Sequence, residues 1–206
     1  MRATTTKARP RRGTPAGTRE RLVAAAAAVF EREGYHGTDS NRLARAAGYA
    51  PGTFYKHFPD KRAAFLAVYE GWVTAEWAAV ADEAARDAAG DLAGRVVERV
   101  LEFHRRWRGV RASLQVLVRT DAAVRTAHRR QRRRQLRLLA ELRARHGLPP
   151  RSAEEDALLL FTLERACDAL VDGEVRALGL SPARTTALLR ATVARHFARD
   201  GRARPA

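Results

Sequence analysis

Apolar residues recur every three or four positions from the front of the chain onward, the spacing of helices that bury one face. Leu22, Ala26, Val29 and Phe30 form a first stripe, with Thr18 as its expected cap, Glu20 in the first turn and Gly34 at the stop. Residues 39–47 put Leu43, Ala44 and Ala47 on one face and end at Gly48. Pro51 suits the first position of a short helix whose Phe54 and Phe58 point inward while Thr53, Lys56 and His57 point elsewhere. Asp60 is expected to cap a long helix carrying Phe65, Tyr69, Trp72, Val73, Trp77, Val80 and Ala84. A further helix from Asp91 holds Leu92, Val96, Val100, Phe103 and Trp107 and is expected to break at Gly109, and a short one carries Leu114, Leu117 and Val118. A long arginine-dense helix runs from Asp121 to near His146, where His-Gly-Leu-Pro-Pro stops it. Ser152 and Glu155 make a capping box for an apolar helix to Val171, and Ser181-Pro182 opens the last helix with Ala187, Leu188, Leu189, Val193 and Phe197. No segment alternates convincingly with a period of two. The pattern predicts an all-α protein of about nine helices.

Length and composition narrow this reading. The 206 residues allow one ordinary domain plus a small one, and with 46% apolar but only 7% aromatic residues the core must be mostly aliphatic and alanine. Lys and Arg number 39 against 23 acids, a net charge of +16 that points to a polyanionic partner. Heavy use of Ala and Arg, as from a GC-rich genome, discounts part of that charge. The lone cysteine, Cys167, cannot form an intrachain disulfide and suits a reducing compartment. Residues 1–17 contain Arg2, Lys7, Arg9, Arg11 and Arg12, no acid, and several Pro and Gly, and are expected to form a disordered basic arm. A solvated tail is the common form of such arms and a DNA minor-groove contact the alternative. The front of the chain lacks the apolar stretch of a signal peptide, and no apolar run approaches the ~20 residues needed to cross a bilayer, so a soluble, cytoplasmic protein with no membrane partner is expected.

The two short helices separated by Gly48 have the arrangement of a helix-turn-helix. The second offers a hydroxyl, an ammonium and an imidazole on its outer side, the chemistry that reads base edges in a major groove. Tyr55 and Lys61 are placed to donate to phosphates, contacts that set position rather than sequence preference.

At these residues the chain resembles the tetracycline-repressor (TetR) family of bacterial transcription regulators. The resemblance covers residues 18 to about 69. It lies in Phe30-Glu31-Arg32-Glu33-Gly34-Tyr35, Gly37-Thr38, Leu43-Ala44-x-x-Ala47-Gly48 and Gly52-Thr53-Phe54-Tyr55-x-x-Phe58-x-x-Lys61, followed by Phe65. It implies a three-helix DNA-binding domain over residues 18–62 and a larger helical effector-binding and dimerisation domain over 63–206. It also implies a homodimer on a palindromic operator in double-stranded DNA, released when a small-molecule effector moves the fourth helix. Position by position, Asn41, Thr53, Lys56 and His57 look like base-proximal residues, and Tyr55 and Lys61 like phosphate contacts. Two positions depart from the pattern: Ser40 replaces an aliphatic residue, and Ala50 replaces a capping one, a loss typically worth ~1 kcal/mol. The dimer is expected through the last two helices, whose apolar faces include Leu159, Leu160, Leu163, Leu170, Leu188, Leu189 and Phe197.

The C-terminal two thirds carry no comparable motif. Trp72, Phe103, Trp107 and Leu117 are candidate walls of an effector pocket, with plain core the commoner role for such a stripe. Glu164 and Asp168, four apart beside Cys167, are candidates to anchor a cationic effector, against the blander reading that arginines neutralise them. His128, Gln131 and Gln135 share the inward stripe continued by Leu138 and Leu142 and are a weaker candidate to hydrogen-bond a ligand, with a solvent-facing position the expectation. The run from Arg129 to Arg134 reads as a solvated face, with a second nucleic-acid surface the alternative. HxxxH, HExxH, CxxC, GxSxG, phosphate-loop and dinucleotide signatures are all missing, so no metal, cofactor or catalytic residue is expected. The competing function is a basic helical protein that coats nucleic acid without sequence preference or effector.

Overall fold

The computed structural model of the chain describes residues 14–86 and 91–198, and among these residues there are ten α-helices and no strand. In order they are α1 (Pro15–Glu33), α2 (Ser40–Ala46), α3 (Pro51–Tyr55), α4 (Lys61–Ala85), α5 (Leu92–Arg106), α6 (Arg108–Thr120), α7 (Ala122–Arg145), α8 (Ala153–Val171), α9 (Glu174–Ala177) and α10 (Pro182–Phe197). The all-helical expectation holds. The additional helix is α9, a single turn entered through Gly173 at φ 81° and too short to show a period.

Caps explain most boundaries. Asp39, Asp60, Asp91, Asp121 and Ser181 each accept a main-chain N–H from the first turn of the helix they precede. Ser152 and Glu155 form the expected reciprocal box. Two boundaries differ from expectation. Thr14, not Thr18, caps α1 by accepting the Gly17 N–H at 3.2 Å, and Pro15 sits in the first turn where a missing N–H costs nothing. Thr18 is buried inside the helix, so the arm expected over residues 1–17 gives way to helix at Pro15, and residues 1–13 lie outside the described residues. The break between α5 and α6 falls at Trp107, which ends one helix and begins the next, whereas Gly109 lies within the first turn of α6. A Cβ at residue 109 would stand 2.0 Å from the Glu31 carbonyl oxygen, so glycine there permits the close approach of α6 to α1.

Two apolar clusters hold the helices together. The first gathers Phe30, Leu43, Phe54 and Phe65 with Trp72, Val110, Leu117 and Val124, joining α1–α4 to α6 and the start of α7. The second contains Val80, Val97, Val100, Leu139, Leu160, Leu163, Cys167 and Val193 from α4, α5, α7, α8 and α10. Because α4 and α7 each contribute to both clusters, they tie the front helices to the rest. Each large side chain so buried contributes about 2 kcal/mol. Leu159, Leu160, Leu163 and Leu189, expected on an intersubunit face, are instead buried in the chain's own second cluster. Leu188 of the expected set is exposed on α10, together with Leu158 and Phe161 on α8.

Candidate functional site

Asp39 caps α2 through the Arg42 N–H at 2.8 Å, and after Ala46 the chain turns through Gly48 at φ 78°, a left-handed conformation suited to glycine. The Tyr49 N–H donates to the Ala44 carbonyl at 2.9 Å and closes that turn. Helix α3 begins at Pro51 after Ala50, which provides no side-chain cap. It is anchored from within by Phe54 and Phe58, whose ring centroids lie 5.5 Å apart in the core. Arg19 of α1 stacks over Phe58 at 5.1 Å from the ring centroid.

This packing fixes the outer side of the pair. Tyr55 is 53% exposed, Asn41 and Lys56 are exposed, and Thr53 and His57 are half-buried. Arg45 of α2 is also exposed, a basic residue that the family pattern did not single out. Lys61 is differently engaged. Its ammonium donates to the carbonyls of Tyr35 and Thr38 at 2.8 and 2.7 Å and lies 4.2 Å from the Tyr35 ring centroid. It therefore fastens the segment between α1 and α2, with one of three donors uncommitted. Partial burial lowers its pKa from the usual lysine value.

A cavity of about 240 Å³ opens among α4, α6, α7 and α8. Trp72, Glu164 and Asp168 line it together with Tyr69, Glu76, Arg111, Gln115, His128, Arg132 and Gln135. Phe103, Trp107, Leu117 and Cys167, also candidates for such a wall, do not reach it. Leu117 is buried in the first cluster with Phe103 and Trp107 packed against it, Trp107 stacks on Trp72 at 6.2 Å, and Cys167 is buried in the second cluster. Burial pushes the Cys167 thiol up to about 12 and keeps it protonated.

Most of the charge around the cavity is paired. Arg111 donates to Asp168 through Nε and Nη2 at 2.9 and 3.1 Å, His104 Nδ1 donates to the same carboxylate at 2.9 Å, and Gln115 adds a contact at 3.0 Å. Burial of Asp168 works to raise its pKa, but these donors outweigh it and hold it down at about 2. Arg132 makes a two-pronged ion pair with Glu164. Arg132 thus leaves the solvated run to which the sequence assigned it, while Arg129, Arg130, Arg133 and Arg134 remain exposed. The expected solvent-facing trio also turns inward. Gln131 and Gln135 are buried, and His128 shares a 3.0 Å hydrogen bond with the Tyr69 hydroxyl. Burial lowers the pKa of His128 and of His104, which favours both neutral.

Glu76 is the exception. It is 8% exposed, lies on the apolar stripe of α4, has no hydrogen-bond or ion-pair partner among the described residues, and burial pushes its carboxyl up to about 7. The sequence held a usable signal, an acid in register with Tyr69, Trp72, Val73 and Val80. Glu76, Gln135 and Glu164 also border an adjoining apolar cavity of about 50 Å³ lined by Val96, Val100, Leu160, Leu163 and Phe197.

An all-helical chain with this front pair is a helix-turn-helix protein. Residues 22–68 match the family model described as Bacterial regulatory proteins, tetR family. No curated protein matches the chain. Among solved structures, a protein described as a TetR-family transcriptional regulator from Rhodococcus sp. has a TM-score of 0.67 at 19% identity, covering 89% of this chain and 100% of that one. Another so described, from Mesorhizobium loti, has a TM-score of 0.66 at 16% identity, with 90% and 97% covered. The fatty acid degradation regulator FadR from Bacillus halodurans has a TM-score of 0.63 at 15% identity, with 95% and 100% covered. The helix-turn-helix segment thus matches the TetR-family model, and the chain as a whole shares the fold of structures described as TetR-family transcriptional regulators.

Proposed function

We propose that this protein is a sequence-specific DNA-binding transcriptional regulator of the cytoplasm, a repressor that binds a palindromic operator as a homodimer and leaves it when a small molecule enters the later helices. The observation that carries the reading is the outer face of α3. It offers Tyr55 and Lys56 to solvent while Phe54 and Phe58 lock the helix to the core. In this reading Thr53, Lys56 and His57, with Asn41 of α2, approach base edges. Tyr55, the free donor of Lys61 and the exposed Arg45 meet phosphates. The DNA-binding unit ends in the first turn of α4, and the remainder of the chain binds effector and partner. The dimer forms through α8 and α10, where Leu158, Phe161 and Leu188 are 66%, 57% and 63% exposed, an apolar surface that a second copy covers.

Binding of the purified protein to its selected operator, set against a scrambled duplex, tests the reading. Lys56→Ala removes the preference for operator and Tyr55→Ala weakens binding to operator strongly, whereas charge-driven coating of nucleic acid loses little with either substitution. Unchanged profiles for both variants contradict a specific reading head.

A further inference from the structure

The cavity beside α4 contains a buried carboxyl outside its ion pairs as well as space. Two guanidiniums, Arg111 and Arg132, are already held by Asp168 and Glu164, each through two contacts. A third carboxyl, Glu76, is more than nine-tenths buried and has no hydrogen-bond or ion-pair partner among the described residues. His104 and His128 add no positive charge when neutral, and Arg119 lines the cavity only as an exposed side chain. The paired arginines have little left to offer an anion, while Glu76 lacks a cation. It stands at the junction between the polar cavity and the smaller one lined by Val96, Val100, Leu160 and Leu163.

We propose that the effector is a small protonated amine with a short apolar tail, its ammonium paired with Glu76 and its tail lying among Val96, Val100, Leu160 and Leu163. This inference rests on the reading of the chain as an effector-controlled regulator and names the effector's class. An ammonium supplies the missing charge and up to three donors, and Glu76, Gln135 and Tyr69 line the same cavity. Since Glu76 titrates at about 7 in the empty protein, binding an ammonium near neutrality drives a proton off its carboxyl. The groups facing it are Tyr69 on its own helix, Arg111 and Gln115 of α6, His128 and Arg132 of α7, and Glu164 and Asp168 of α8.

Calorimetry on the full chain without DNA tests this, with hexylamine, hexanoate and hexan-1-ol as probes of equal tail length. Hexylamine is expected to bind saturably at one site per chain, with the other two at least about ten-fold weaker. Repeating the hexylamine titration near pH 7 in two buffers of different ionisation enthalpy is expected to show release of about half a proton. Glu76→Gln, checked for native helicity by circular dichroism, is expected to weaken hexylamine about ten-fold and abolish the release. Equal binding of hexanol or hexanoate, or hexylamine binding without proton release from the unaltered protein, overturns the proposal. Absence of hexylamine binding overturns it too, and operator selectivity measured on the same preparation shows whether the regulator reading survives that failure.

Discussion

The carboxylate of Glu31 in α1 accepts the main-chain N–H of Gly109 in α6 with both oxygens, at 2.9 and 3.0 Å, and its Oε2 also takes the Val110 N–H at 3.1 Å. An anion from the first helix therefore occupies the positive end of the sixth. A second tie runs beside it, since the Tyr35 N–H donates to Ser113 Oγ at 2.9 Å. Helix α6 carries Arg111 and Gln115 into the cavity wall, so one rigid element touches both the cavity and the helix packed behind the helix-turn-helix. Glu31→Ala removes this cap and is expected to cost about 1–2 kcal/mol in urea denaturation. Gly109→Ala is expected to cost more, because its Cβ meets main chain rather than a side chain that can move. Unaltered stability in both variants contradicts the tie.

Glu76 makes stability depend on pH in an unusual direction. Its carboxyl ordinarily titrates near 4.5 and in the folded chain at about 7, so as pH rises the unfolded chain ionises first. Folding stability is therefore expected to fall between about 4.5 and about 7 and to stay low above that, a loss of about 3 kcal/mol. Glu76→Gln is expected to be the more stable protein at about pH 8 and no more stable than the unaltered chain at about pH 4. Denaturation at the two pH values measures this, and a variant destabilised equally at both contradicts it.

Asp168 acts in the opposite sense. Its carboxyl is held at about 2 against an ordinary 3.8, so its contribution is fully present above about 3.8 and is lost as pH falls through about 2. That contribution is about 2 kcal/mol. Asp168→Asn leaves Arg111 without its charge partner and is expected to destabilise at neutral pH by about that amount or more, with a gap that closes in acid. Thermal melts across the range, with Glu164→Gln alongside, show whether the loss follows the titration.

Leu188 and Phe161 belong to the exposed strip on α10 and α8 rather than to either core cluster. Replacing both with glutamate is expected to give monomers in analytical ultracentrifugation with helicity intact, because both lie outside the core clusters and Phe161 meets Arg132 with the guanidinium 5.9 Å from its ring centroid. A dimer that survives both changes places the interface elsewhere.

The sequence revealed most of this fold through caps and stripes. Asp60, Asp121, Ser152 and Ser181 mark helix starts by local chemistry that needs no tertiary context. Local signals misplaced what long-range contact decides. Gly109 reads as a break, but its lack of a Cβ serves the approach of Glu31 from residues 78 positions away. The interface leucines were assigned by hydrophobicity alone, and three-residue spacing cannot tell a stripe facing the chain's own core from one facing a second copy. The helix-turn-helix was legible because Phe54, Phe58, Gly48 and Pro51 are spaced by the geometry of that unit itself. The cavity was legible only in part. Glu164 and Asp168 stood out as acids on an apolar helix, yet Arg132 and Gln135 were obscured by the arginines around them, and Glu76 by the aromatic residues of its own stripe.

The most direct test is selection of bound fragments from a random duplex pool by the purified chain across a range of salt. The account predicts enrichment of one palindrome whose half-sites are separated by about one turn of DNA or a multiple of it, lost on Lys56→Ala. Binding that weakens with salt but enriches no sequence contradicts it.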